Sequence, residues 1–194
     1  MVWSSDAAGY PAAMSTSSAA GRTGADVVLR ALRRTRQVRQ FTDEPVSDTD
    51  LQAILEVARW SGSSINRQPW SFIVVREQGD LQHLAELAPS ARHVAGAALA
   101  IAIAMGGDHS EWDAYDEGRA AERILVAATA LGLGAGIGWA IESVRPAVGE
   151  FLGLTPPAFV RTIISLGHPT AGARQPKSQP GTARRPLADV VREL

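Results

Sequence analysis

The sequence predicts a folded domain that mixes short strands with amphipathic helices, and three observations carry that expectation. Residues 47–60 repeat apolar side chains at helical spacing. Residues 116–131 form a long, Ala-rich and mostly apolar helix. The apolar runs at 71–75, 97–104 and 160–167 have the length of buried strands.

Taken in order, residues 1–24 are rich in Ala, Ser, Gly and Thr, with little to bury, and are expected to be a disordered extension. Residues 25–36 then read as a helix with Val27, Val28, Ala31 and Leu32 on one side. A polar turn carrying Arg39 follows. The next helix, 47–60, has Ser47 as its cap and Asp50 three residues on, with Leu51, Ile54, Leu55 and Ala58 at the i, i+3, i+4, i+7 positions. The stretch GSSINRQP must be a loop, and SFIVV at 71–75 the first strand. A small helix at 80–88 precedes the strand at 97–104. HSEWDAY, 109–115, is expected to be a loop or lid, and 116–131 the central helix, ended by Gly132 as a C-cap. GLGAGIGW leads to a short helix at 145–152, and VRTIISLG is the third strand. Residues 169–186 are rich in Pro, Gly and Arg and read as an extended arm. Residues 25–194 are thus taken as one domain, which suits a chain of 194 residues.

Bulk properties exclude several classes. A net charge of −1 offers no basic field for nucleic acid or an anionic membrane. The absence of cysteine excludes disulfides, thiolate metal sites and a cysteine nucleophile. The longest apolar run, Val94 to Met105, has 12 residues, against roughly 20 for a membrane span. No basic stretch followed by an apolar one marks a signal peptide, so the expected compartment is the cytoplasm. His83, His93, His109 and His168 show no metal-ligand spacing, and each reads as a surface or hydrogen-bonded residue. GLGAGIG fails the G-x-G-x-x-G dinucleotide pattern and follows a helix rather than a strand. There is no Walker A sequence and no G-x-S-x-G elbow.

Three separated segments carry chemistry. Arg36 and Arg39 lie three residues apart in a turn and can converge on one anion, since guanidinium forks suit phosphate; the ordinary alternative is a solvated basic patch continuing Arg30, Arg33 and Arg34. Ser63-Ser64-Ile65-Asn66-Arg67-Gln68 packs hydroxyls and amides that can match the edge of a pyrimidine-like ring; the alternative is a turn that satisfies its own backbone. The small-residue run Gly132 to Trp139 lets backbone approach a flat ligand; the alternative is a loose connection.

Together these residues resemble the nitroreductase family of FMN enzymes. The likeness covers residues 25 to 190 and rests on R-x-x-R-x-F at 36–41, S-S-x-N-x-Q-P-W at 63–70, A-L-G-L-G at 130–134, S-L-G-H-P at 165–169 and A-R-R-P-L at 183–187. The resemblance implies an α+β fold: a central, mainly antiparallel sheet flanked by helices, in an intertwined homodimer with an exchanged C-terminal arm. It implies that FMN is bound by Arg36, Gln37 and Arg39, by Ser63, Ser64, Asn66 and Gln68 (often from the partner subunit), by the backbone around Gly136, Ile137 and Gly138, and by Arg184 or Arg185. It implies hydride transfer from NAD(P)H to a small oxidised acceptor (a nitroaromatic, quinone or enone) by ping-pong kinetics, with no side-chain acid or base required. The alternatives are a flavin-sequestering protein with little turnover, or a family variant that performs dehalogenation or flavin fragmentation. Trp112, Tyr115 and Trp139 are candidates to flank the acceptor. The sequence departs from the family pattern at Gly62, where a proline is common, and at Gln37, where serine is usual. A second cationic group near the flavin, present in some relatives, has no obvious match.

Overall fold

The computed structural model describes residues 19–108, 110–175 and 184–193. The chain divides into two compact units, Met1–Arg34 and Thr35–Leu194. In the first, the helix expected from residue 25 starts earlier: α1 spans Ala19–Arg34, so six residues of the segment expected to be disordered are helical. Residues 1–18 lie outside the described residues. Arg33 and Arg34 occupy the last turn of α1, where the helix dipole favours cations.

The second unit follows the periodicities closely. α2 spans Asp48–Arg59, and the Ser47 hydroxyl caps it by accepting from the Asp50 N–H at 3.0 Å. α3 spans Gln78–Leu87, α4 Ser110–Ala130 and α5 Arg145–Phe151. The strands are β1 (Trp70–Val75), β2 (Leu99–Met105), β3 (Gly134–Trp139) and β4 (Phe159–Gly167). They form one antiparallel sheet in the order β1-β2-β4-β3. This is an α+β arrangement with helices on both faces.

Two expectations are corrected here. The segment 110–115 is no loop: α4 runs unbroken from Ser110, because its polar residues Asp113, Asp116 and Glu117 face inward to partners rather than outward to water. The glycine run is no loose connection either. After α4, Gly132 adopts φ 77° and Leu133 N–H donates to Ala128 O at 2.8 Å, a C-terminal lock that only a residue tolerant of positive φ allows. The chain then goes directly into β3, the fourth strand.

β2 alternates between the two faces. Leu99, Ile101, Ile103 and Met105 meet α2 and α4 in one core, while Ala100, Ala102 and Ala104 meet α3, residues 89–96 and α5 in the other. On that second face the segment 89–96, which is 3₁₀-helical, lies against β3 and β4. The register of β2 on β4 shifts once: Ile103 opposes Thr162, but Ala104 opposes Val160. The extra residue, Arg161, is therefore turned to the α4 face. There its guanidinium donates twice to one oxygen of Glu117, with Nε at 2.8 Å. Glu117 is 2% exposed and its other oxygen has no partner, so the pair stands or falls together.

Arg161→Met is expected to destabilise the fold by about 3–5 kcal/mol, because it strands a buried carboxylate. The double variant Glu117→Leu/Arg161→Met should recover most of that loss. Chemical denaturation of both variants checks the pair; equal losses would show that the charge has no part in the effect.

Candidate functional site

The first basic motif and the glycine strand form one structure. The open side of β3 pairs briefly with the incoming chain: Gln37 bridges Ala135 in parallel, and Val38 N–H donates to Ala135 O at 2.8 Å. One step further along β3, side chains replace backbone. Gln37 Oε1 accepts from Ile137 N–H at 2.6 Å, and Arg39 Nη2 donates to Ile137 O at 3.0 Å. Both outward backbone groups of Ile137 are thereby held by the motif. The glycines allow this approach: a Cβ on Gly136 would lie 2.3 Å from Val38 O and 2.9 Å from Arg39 Cγ. The motif continues beside the end of β4, where Phe41 bridges Pro169 and Thr42 N–H donates to His168 O at 2.8 Å. Arg36 Nη2 donates to Arg174 O, which ties the motif to the start of the C-terminal arm.

His93 and Ser165 lie beneath this edge, and no sequence pattern marks their pairing. His93 Nδ1 is 2.8 Å from Ser165 Oγ, and that hydroxyl donates to Gly136 O at 3.2 Å. His93 Nε2 is buried without a hydrogen-bond partner, and a Cβ on Gly138 would lie 3.1 Å from it. The two residues come from the segment 89–96 and from β4, so no sequence spacing links them.

The amide-and-hydroxyl loop is built on α4. Ser64 N–H donates to both oxygens of Asp116, at 3.1 and 3.3 Å, and Arg67 Nη2 donates to Asp113 at 2.7 Å. Within the loop, Ser63 Oγ accepts from Gln68 N–H at 2.8 Å, and Gln68 Nε2 donates to Asn66 Oδ1 at 3.3 Å. Ile65, Asn66 and Gln68 have φ of 45°, 57° and 51°. A β-branched residue is a true outlier there, and Ile65 is 85% exposed, so no packing of its side chain explains the strain. The buried carboxylates of α4 hold it. Asp113, Asp116 and Arg67 were not singled out from the sequence, although acids at i and i+3 on an otherwise buried helix face were the available signal.

The two halves lie on different edges. The loop leads into β1 and the basic motif borders β3, with β2 and β4 between them. Three strand spacings separate the edges, about 14 Å. Of the arginines of the arm, Arg185 Nη2 donates to Asp189 O at 2.7 Å, and Arg184 is exposed. Trp112 and Tyr115 are exposed on α4, and Trp139, also exposed, ends β3 with the Arg161 guanidinium 5.8 Å from its ring. No group of acids and histidines able to hold a metal occurs among the described residues.

The donor set suits FMN. Cations and a glycine-lined strand edge lie on one side, and amides and a hydroxyl in a rigid loop on the other. Ser63 and Gln37 are the exceptions, since the Ser63 hydroxyl accepts from Gln68 N–H and the Gln37 amide oxygen accepts from Ile137 N–H.

Comparison with known proteins agrees. Residues 32–168 match the sequence profile of the nitroreductase family. A protein of Archaeoglobus fulgidus, provisionally named NADH dehydrogenase/NAD(P)H nitroreductase, is 32% identical over 148 residues, 73% of this chain and 84% of its own. A Desulfovibrio desulfuricans structure, described as a nitroreductase in complex with FMN, superposes with a TM-score of 0.75 at 32% identity, covering 86% of this chain and 96% of the other. The NADPH:FMN oxidoreductase of Vibrio harveyi complexed with NAD⁺ gives 0.74 at 26% identity, covering 86% and 76%.

Burial, and then the charge of Arg39, hold the pKa of His93 below its ordinary value of 6.5, against the nearby Ile137 backbone, which raises it. The unfolded chain therefore binds this proton at higher pH than the folded chain, so stability falls as the pH drops through the unfolded value. His93→Asn, whose amide can still meet Ser165, should flatten the fall in Tm between about pH 7.5 and 5.5. A slope unchanged from the parent would remove His93 from the account.

Proposed function

This chain belongs to the nitroreductase family, and from that premise we propose that it is an FMN-dependent oxidoreductase that moves reducing equivalents from NAD(P)H to a small oxidised acceptor such as a nitroaromatic, quinone or enone. The observation that carries the reading is the capture of Ile137 by Gln37 and Arg39, which fastens an arginine-bearing turn to a glycine-lined strand edge. Bound FMN would supply a two-electron carrier that neither a side chain nor the backbone can replace. Arg36 and Arg39 hold the phosphate and the pyrimidine side, with Arg184 or Arg185 reaching the phosphate from the arm. Ser64, Asn66 and Gln68 lie along the ring. Gly136, Ile137 and Gly138 form the strand edge beside it, with the Ile137 N–H and O already taken by Gln37 and Arg39. NAD(P)H and acceptor occupy the same place in turn, which gives ping-pong kinetics, and protons come from water.

The site needs two chains. One ring system cannot lie against both edges of a single sheet, because the middle strands and their covering layers stand between. A second copy brings its loop to the first copy's basic motif. The free edge of β1, with the groove between it and α2, supports the same arrangement, since unpaired strand edges are normally covered. So do the exposed Val28 and Leu32 on α1 and the exposed Leu187, Val190 and Val191 near the C-terminus, which suit an exchanged arm. Among the described residues no helix is long and apolar enough to cross a membrane, and the cytoplasm is the compartment we assign.

The purified protein should be yellow, and NADH or NADPH should bleach it under anaerobic conditions. A yellow protein that resists both nicotinamides is a flavin store rather than an enzyme. Arg36→Ala and Asn66→Ala should each weaken FMN retention at least about tenfold, while Arg30→Ala leaves it unchanged. Mixing the two defective chains should regenerate one intact site per mixed dimer. Absence of that rescue would mean that one chain supplies both residues of a site and would overturn the two-chain arrangement.

A further inference from the structure

A stripe of α4 beside the loop deepens the proposed function, on which it rests. Trp112, Tyr115 and Arg119 follow one another at spacings of three and four residues, so they share a flank of the helix. Asp113, Asp116 and Glu117 occupy the buried side. The stripe is open: Trp112 is 45% exposed, Tyr115 73% and the Arg119 side chain 45%.

Both ends of the stripe are braced by the loop. The Arg67 guanidinium lies 5.5 Å from the Trp112 ring and is itself fixed by Asp113 at 2.7 Å. The cation therefore steadies the indole while leaving nearly half of the residue in solvent. At the other end, the Arg119 guanidinium fills the space that a side chain at position 62 would take. A Cβ on Gly62 would lie 2.2 Å from Nη2 and 3.0 Å from Cζ. Asp116 stands 3.8 Å from Arg119 and accepts its shorter bonds from Ser64 N–H instead. Arg119 thus presents a planar fork of donors at the foot of the loop, with the Asp116 carboxylate at salt-bridge distance.

We propose that this stripe recognises a planar ring joined to an anionic group, with Trp112 taking the ring, Arg119 the carboxylate or phosphate, and Tyr115 the space between. Seven helical residues span about 10 Å along the axis, and the flexible arginine shortens the reach required. Gly62 bears on this specificity, because a side chain there must displace the end of the flexible Arg119 side chain from its place. The departure at position 62 and the lack of an obvious second cation are then one change: losing the ring of a proline makes room for a cation that comes from a distant helix. The ligand chemistry has two sources, an acidic acceptor or the nucleotide half of NAD(P)H that carries the nicotinamide.

Calorimetric titration of the FMN-loaded, oxidised protein separates these sources. One arm compares 4-nitrocinnamate with its methyl ester; the other compares nicotinamide mononucleotide with nicotinamide riboside. The charged member of at least one pair should bind about tenfold tighter or more, as expected for a charge-assisted fork. Arg119→Gln should collapse that ratio to near unity, Gly62→Ala should do the same by displacement, and Arg123→Gln should not change it. A response in the first arm identifies the acceptor, and in the second the nucleotide. Ratios near unity in the parent, or a ratio that survives Arg119→Gln, overturn the inference. A protein that takes up no FMN overturns the proposed function and this inference together, whereas one that loads FMN without discriminating within either pair overturns only this one.

Discussion

The acids that α4 buries hold the rest of the molecule in place. Asp113, Asp116 and Glu117 sit within five residues on the inner face of one helix, and they are matched from two segments, the loop before β1 and the strand β4. Arg67 answers Asp113, Ser64 N–H answers Asp116, and Arg161 answers Glu117. Taking a carboxylate out of water costs several kcal/mol, and only a well-placed partner offsets it. Such pairs add little net stability, but a structure that displaces any partner is heavily penalised. They therefore fix positions. The loop stays against the helix in a backbone conformation that Ile65 would not choose, and the bulge in β4 stays where Arg161 can face α4.

The opposite edge is governed by the absence of side chains. β3 alternates Gly134, Gly136 and Gly138 with Ala135, Ile137 and Trp139. The glycines lie where Val38, Arg39, Ala91 and His93 press against the strand, and the larger Ile137 packs toward the core with α4. Close approach brings the hydrogen-bonding groups of Gln37 and Arg39 to the backbone of Ile137, and brings the Ser165 hydroxyl to Gly136 O. Polar groups at this edge are paired with one another, which keeps the arginine-bearing turn in a defined place before any ligand arrives.

These constraints divide the labour between the two edges of the sheet. One edge offers cations fastened to a glycine-rich strand, the other amides, a hydroxyl and the exposed aromatic flank of α4. Neither is complete for a flavin nucleotide. The chain belongs to the nitroreductase family, and the structures it resembles include one described as a complex with FMN and one as an NADPH:FMN oxidoreductase; the proposed two-copy site would join the two edges.

Much of this was legible in the residues. The apolar period of 47–60 and its Ser47 cap located α2, and the apolar runs located β1, β2 and β4, because burial leaves its period in the sequence. The motifs at 36–41 and 63–70 marked the segments that the structure builds with most care. Three things were not legible. The start of α4 was hidden because Asp113, Asp116 and Glu117 look solvated until their partners are known. β3 was hidden because a strand of glycines carries no hydrophobic alternation. The links from His93 to Ser165 and from Gly62 to Arg119 were hidden because each joins residues more than fifty positions apart. Local pattern records which side chains leave water, and that is a property of the chain. Which buried charge meets which, and what stands where a glycine has no side chain, depends on contacts made only once the layers have closed.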